Sequence, residues 1–148
     1  MTTSPLLRAL RDGQAVIVAT DTVYGLAARP GSQGHAGIFE LKGRPVGQVL
    51  PWLVSSTGTL DTLASDVPAY ARRLAEMFWP GALTLVVRAS SAACELGGVA
   101  DDGTIALRSP DAPELLALLA ELDAPLACTS ANAHGEPAPA SLAHIPAS

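Results

Sequence analysis

The chain has 148 residues, 49% of them hydrophobic, with a net charge of −5. That composition is the size and apolarity of one cored domain and argues against disorder. An acidic balance is a poor footprint for gripping nucleic acid through its phosphates, so any RNA contact is expected to be weak or transient. No apolar run reaches the roughly 18 residues a membrane span needs, the start shows no signal-peptide pattern, and Cys94 and Cys128 are two lone thiols. A cytoplasmic protein without membrane contact is the simple expectation.

Taken in chain order, Ser4-Pro5 before "LLRAL" predicts an N-cap, a proline at the first helical position and a helix ended by Gly13. "AVIVAT", 15–20, predicts a buried strand that empties into a polar-aromatic turn, "DTVYGL". "GHAGIFELKG" suits a short helix with Ile38 and Leu41 on one face, stopped by Gly43. "LPWLVSS" is a strand candidate, and Asp66 is expected to begin a helix, with Pro68 in its first turn, that "WPG" breaks. "ALTLVVR" and "GTIALRSPD" read as strands, with an ordinary loop expected over 99–103 and its alanine-rich surroundings. "PELLALLAEL", 113–122, reads as a Leu-rich helix, and "APLACTSAN" as a strand entering a polar loop. The alternation predicts one α/β domain over 1–148, with 138–148 as loop or tail.

Three polar clusters follow strands or helix ends: Thr20 to Tyr24, Lys42 to Arg44, and Thr129 to Asn132. Open α/β sheets bind ligands beyond the carboxyl ends of their strands, so the first and third could share a crevice. Lys42 is the only lysine in a chain whose eight other basic residues are arginines. A last-turn Lys can simply complement the helix dipole, and a loop Arg can simply be solvated. Equally, a compact ammonium beside a planar fork suits a phosphate chain, with Gly43 giving the tight path between them. Thr20 and Thr22 alternate, so their hydroxyls can face the same way, while Tyr24 is either an aromatic wall or a core residue. Ser130 and Asn132 offer small polar groups or plain turn chemistry. Asp21 reads as an Asx-turn residue rather than a nucleophile. There is no GxxxxGK[ST], GxGxxG or GxSxG, and His35, His134 and His144 lack ligand spacing, so no protein metal site is expected.

Five blocks, "TDTVYGL", "ELKGRP", "FWPGALTLV", "TIALRSPDAP" and "SANAHGEPAP", together resemble the YrdC/TsaC-type family of L-threonylcarbamoyladenylate synthases, from about residue 13 to about 140. The resemblance implies a single twisted, mixed parallel/antiparallel sheet with flanking helices and a deep, positively lined cavity. It implies a nucleotidyltransferase joining L-threonine, bicarbonate and ATP into threonylcarbamoyl-AMP with release of pyrophosphate, for threonylcarbamoyladenosine modification of tRNA by a partner complex. Mg²⁺ would travel with the ATP. Carried over by motif, Thr20, Tyr24 and Arg108 would bind threonine. Lys42 and Arg44 would be catalytic and, with Gln48, Thr104, Ser130 and Asn132, would hold the nucleotide. Phe78, Trp79 and Pro80 look like wall and scaffold.

The resemblance has departures. Gln48 and Val49 replace the family's usual Lys or Asn followed by Pro, and family members continue past the position of Ser148 with a further helix, strands and a Ser-Thr-Val segment. Two rivals follow: a shortened, non-catalytic paralogue that binds nucleotide or RNA, and a carbamoyl-adenylate-forming domain of hydrogenase maturation. The latter sits in long chains with acylphosphatase and zinc-finger modules that are not seen in these 148 residues.

Overall fold

A computed structural model describes residues 4–43 and 49–131. Their elements run α1 (Pro5–Arg11), β1 (Val16–Ala19), β2 (Tyr24–Ala28), α2 (Gln33–Lys42), β3 (Trp52–Leu53), α3 (Thr59–Leu63), α4 (Ala69–Phe78), β4 (Leu85–Arg88), α5 (Ser91–Leu96), β5 (Thr104–Arg108), α6 (Pro113–Leu122) and β6 (Leu126–Ser130). The strands form one mixed sheet in the order β1-β2-β6-β3-β5-β4, with β3 and β5 parallel and the other pairs antiparallel. The predicted fold class is therefore observed.

Successive strand residues face opposite ways, so the register assigns each side chain to a face. Trp52, Leu107, Ala127 and Ala28 look towards one layer, where they pack with Ile38 of α2, Leu60 and Leu63 of α3, Ala75 of α4 and Ala93 of α5. Leu53, Leu126, Cys128, Ala27 and Val18 look the other way, onto Leu7 and Leu10 of α1 and Leu115, Leu119 and Leu122 of α6. Each fully buried Leu contributes about 1.5–3 kcal/mol, which fixes the register tightly because a one-residue slip would exchange the two faces.

Several local expectations need correction. The 15–20 run is a strand but not a fully buried one: β1 lies at the sheet edge, covered on one face, so Val16 and Val18 are buried while Ile17 is 40% exposed. β2 was hidden in what reads as a turn. Its Gly25 lies so close to β6 that a Cβ there would come within 2.5 Å of Cys128 Sγ, which forces a residue with no strand propensity into the strand. In α2, Ile38 is buried but Leu41 is 65% exposed, and the side chain that turns inward beside Ile38 is Lys42. Ser4 occupies the N-cap of α1 without a side-chain cap bond. Asp66 has φ 53°, left-handed backbone that cannot start a helix, so α4 begins at Ala69 behind Pro68. The short helices α3 and α5 were not foreseen; Ser90 caps α5 by accepting Ala93 N–H at 3.2 Å. Gly43, at φ 64°, ends α2 as expected, and α6 has the predicted bounds. The predicted tail lies outside the described residues.

Candidate functional site

The first polar cluster is built by Thr20. Its hydroxyl oxygen accepts the N–H groups of Thr22 (3.2 Å) and Val23 (3.1 Å), donates to the Val23 carbonyl, and lies 3.1 Å from Thr22 Oγ1. The two hydroxyls do face the same way. That of Thr20 is occupied in folding the 20–23 turn, a Ser/Thr-turn device, while its methyl group lies on the Gly25 side.

Arg108 ends β5 on the face it shares with Leu53. Its Nε donates to Gly81 O at 2.9 Å, Nη1 reaches Thr22 Oγ1 at 3.5 Å, and Nη2 forms an ion pair with Asp21 Oδ1. The Gly81 acceptor is itself fixed. Gly81 N donates to Ser109 O at 2.8 Å, and Trp79 is buried with its Nε1 donating to Leu83 O at 2.8 Å. A Cβ on Gly81 would lie 2.3 Å from Phe78 O, so only glycine permits this loop path. "FWPG" thus acts as scaffold through Trp79 and Gly81, whereas Phe78 and Pro80 are exposed and form no wall.

Lys42 is 6% exposed, and its Nζ donates to Ser130 O at 3.0 Å. A buried ammonium is costly unless well partnered, so a side chain placed only to complement the α2 dipole would extend into water. The helix end and the last residue of β6 are instead tied together through a cation.

Thr20, Thr22, Val23, Gly25, Thr84, Arg108, Cys128 and Ser130, with Pro51, Leu53 and Thr129, surround a hollow of about 300 Å³, at the lower end of small-molecule sites. Cys128 forms part of its floor, where burial pushes its thiol pKa up to about 12, partly opposed by the Arg108 charge. The thiol is therefore neutral packing and not a nucleophile. A second, larger hollow of about 540 Å³ lies between α3, α5 and α6, but among the described residues its charged lining is Glu95 and Asp123, with no cation. An anionic ligand is directed to the smaller hollow, whose lining includes Arg108.

The first and third clusters thus share one crevice, as expected, and Lys42 is tied to its rim through Ser130. Tyr24 is half-buried and, one residue from Gly25, directs its ring to the opposite sheet face, so it does not line the hollow. Thr104 does not line this hollow either. It begins the strand that Arg108 ends, four residues or roughly 13 Å away, and its hydroxyl and N–H both serve Asp102 Oδ1, at 2.6 and 3.0 Å. Arg44, Gln48 and Asn132 lie outside the described residues. Sequence reasoning missed Asp21 as an ion-pair partner, Thr22 as a lining hydroxyl, and Gly81 and Cys128 as site residues. A lone Asp between two threonines and a Gly after Trp-Pro were the available signals.

A family profile described as "Telomere recombination", Sua5_yciO_yrdC, matches residues 8–148. The chain is 37% identical over 137 residues to the threonylcarbamoyl-AMP synthase of Bacillus subtilis, covering 92% of this chain and 40% of that protein. A solved structure of Pyrococcus abyssi Sua5 complexed with L-threonine superposes with a TM-score of 0.84 at 37% identity, over 94% of this chain and 41% of that one. Escherichia coli YciO shares the fold, with a TM-score of 0.77 at 24% identity over 88% of this chain and 64% of its own. The chain thus spans about two fifths of the length of these two synthases. Profile, identity and superposition agree with the site: the chain belongs to the Sua5/YciO/YrdC family.

Proposed function

We propose that this chain forms threonylcarbamoyl-AMP from L-threonine, bicarbonate and ATP, releasing pyrophosphate. The observation that carries the reading is Arg108 in the lining of the hollow, with the buried Lys42 bonded to Ser130, another residue of that lining. The relatives named for this activity and the P. abyssi structure titled as a threonine complex support it.

The chemistry asks for such a site. Threonine's neutral amine adds to CO₂ with loss of a proton, or condenses with bicarbonate with loss of water, to give a carbamate. A carbamate oxygen then attacks the α-phosphorus of ATP, the bond from that phosphorus to the bridging oxygen breaks, and pyrophosphate leaves. The displacement needs alignment and charge neutralisation rather than a protein nucleophile. Arg108 holds the threonine carboxylate in the hollow, the Thr20 turn shapes its wall, and Lys42 with Ser130 neutralises and seats the phosphates. Arg44, Gln48 and Asn132 are assigned to the nucleotide by motif. Among the described residues no three His, Cys, Asp or Glu side chains gather into a metal site. Mg²⁺ would therefore be held chiefly by the triphosphate it accompanies, as is usual for this ion.

The product would pass to a tRNA-modifying partner complex in the cytoplasm, with RNA contact on this chain weak because the chain is acidic. No helix of the described residues is long and apolar enough to cross a membrane. Pyrophosphate release tests the activity. Release from ATP that requires both threonine and bicarbonate is expected; nucleotide binding with no threonine-dependent release would favour a non-catalytic binder and remove the proposal.

A further inference from the structure

Arg108 is held by more than a carboxylate-binding arginine needs if its ligand alone orients it. Asp21 projects from the turn that Thr20 folds and uses both oxygens: Oδ1 pairs with Arg108 Nη2, and Oδ2 accepts the Asp111 N–H at 2.9 Å. The paired side chains are only 13% and 14% exposed, so the contact is screened far less than a surface ion pair. The carboxylate thus clasps the strand end and the loop three residues on. Ser109, between those points, is buried and accepts the N–H of Gly81, whose own carbonyl receives Arg108 Nε. Of the five guanidinium N–H groups, three have named partners. One on each terminal nitrogen remains without a partner among the described residues, the number a carboxylate can accept as a pair.

We infer that Asp21 is a positioning residue for the carboxylate-binding step: it fixes the plane of the Arg108 guanidinium so that the two remaining N–H groups stay presented to a carboxylate in the hollow. The inference rests on the threonine reading given under Proposed function. The Asp21 carboxylate does not react. It holds the arginine in its ligand-ready rotamer before the substrate arrives, so less ordering is needed on binding.

The test measures threonine and ATP affinities by titration calorimetry, with thermal unfolding, for the wild-type chain and for Asp21→Asn, Asp21→Glu, Arg108→Ala and the double variant Asp21→Asn/Arg108→Ala. A charge-assisted hydrogen bond of ordinary strength predicts threonine binding about tenfold weaker in Asp21→Asn, with ATP affinity unchanged and partial recovery in Asp21→Glu. In the Arg108→Ala background the Asp21 substitution should add nothing, because the residue acts through the arginine. Weakening by Arg108→Ala but not by Asp21→Asn overturns this inference alone, as does an undiminished Asp21 effect in the double variant. No threonine binding by the wild type, or none lost in Arg108→Ala, overturns the threonine reading and this one with it. If Asp21→Asn does not fold, Asp21→Glu decides: about a threefold loss of threonine affinity supports the clasp, and wild-type affinity rejects it.

Discussion

Lys42 and Arg108 are both cations with little exposed side chain, yet the fold holds them in different ways. Arg108 is fastened through its fork to two segments, the Thr20 turn and the Trp79-Pro80-Gly81 loop, and Asp21 of that turn also accepts the Asp111 N–H beyond the strand exit. Lys42 comes from a helix end and reaches the last carbonyl of β6 with a compact ammonium on a long stem. The difference matches what each head group can do. A planar fork with fixed donors suits one carboxylate in one orientation, whereas a rotatable point charge suits a phosphate chain that changes shape as a bond breaks. Under the proposed function, Lys42 occupies a position where an arginine would carry the wrong geometry.

The most severe way to break the comparison is at Lys42. Lys42→Ala should lower threonine-dependent pyrophosphate release by about 10²–10³-fold, the usual cost of removing a transition-state charge donor, with a cooperative unfolding transition retained; Lys42→Arg should not restore the rate. Wild-type turnover in either variant would show that a general cation, or none, is enough. Next comes the seat of Arg108. Gly81→Ala places a methyl 2.3 Å from Phe78 O, so the loop must move its carbonyl off the guanidinium. The expected result is about 1–3 kcal/mol lower stability, read by urea unfolding, together with a raised threonine KM and an unchanged ATP KM.

The seat of Lys42 is tested more gently through His35, in the same helix. This imidazole is buried, accepts Gly31 N–H on Nδ1 at 3.0 Å and rests against Gly98 and Phe39, and burial holds its pKa below the ordinary 6.5. A lowered pKa means the folded state prefers the neutral ring. Its contribution to stability is therefore complete above pH 6.5 and is lost as pH falls from there towards the depressed folded value. The urea midpoint of the wild type should drop over that interval more than that of His35→Gln; equal slopes would refute the neutral-ring assignment. The smallest effect concerns the cysteine that lines the hollow. Cys94 is exposed and Cys128 buried with its pKa near 12, so one thiol should react with a maleimide at pH 8 and the second only on unfolding.

Where the sequence was read well, local chemistry and tertiary packing agreed. Pro113 and the leucine spacing of 113–122 gave α6 its bounds, and Gly43 stopped α2 because only glycine rests easily at a positive φ. The reading failed where long-range contacts overruled local pattern. Gly25 and Ala27 belong to a strand because β6 presses against them, and no periodicity within seven residues reports that. Leu41 and Lys42 exchange their expected positions because a partner 88 residues away accepts the ammonium. The site was legible as motifs, and Thr20, Arg108 and Ser130 do meet at one hollow with Lys42 tied to Ser130, but Asp21 was read as a turn residue. A carboxylate's role depends on a guanidinium 87 residues along the chain, and Thr104, near Arg108 in sequence, stands at the other end of the same strand.

The direct test of the division between the cations is a paired kinetic titration, varying threonine at saturating ATP and ATP at saturating threonine, for wild type, Arg108→Ala and Lys42→Ala. Arg108→Ala should raise the threonine KM by about 10–100-fold, the cost of one charged contact, and move the ATP KM by less than about twofold, within ordinary variation, while the residual activity of Lys42→Ala should show the reverse pattern. Equal shifts in both substrates for either variant would contradict the assignment of one cation to the carboxylate and the other to the phosphates.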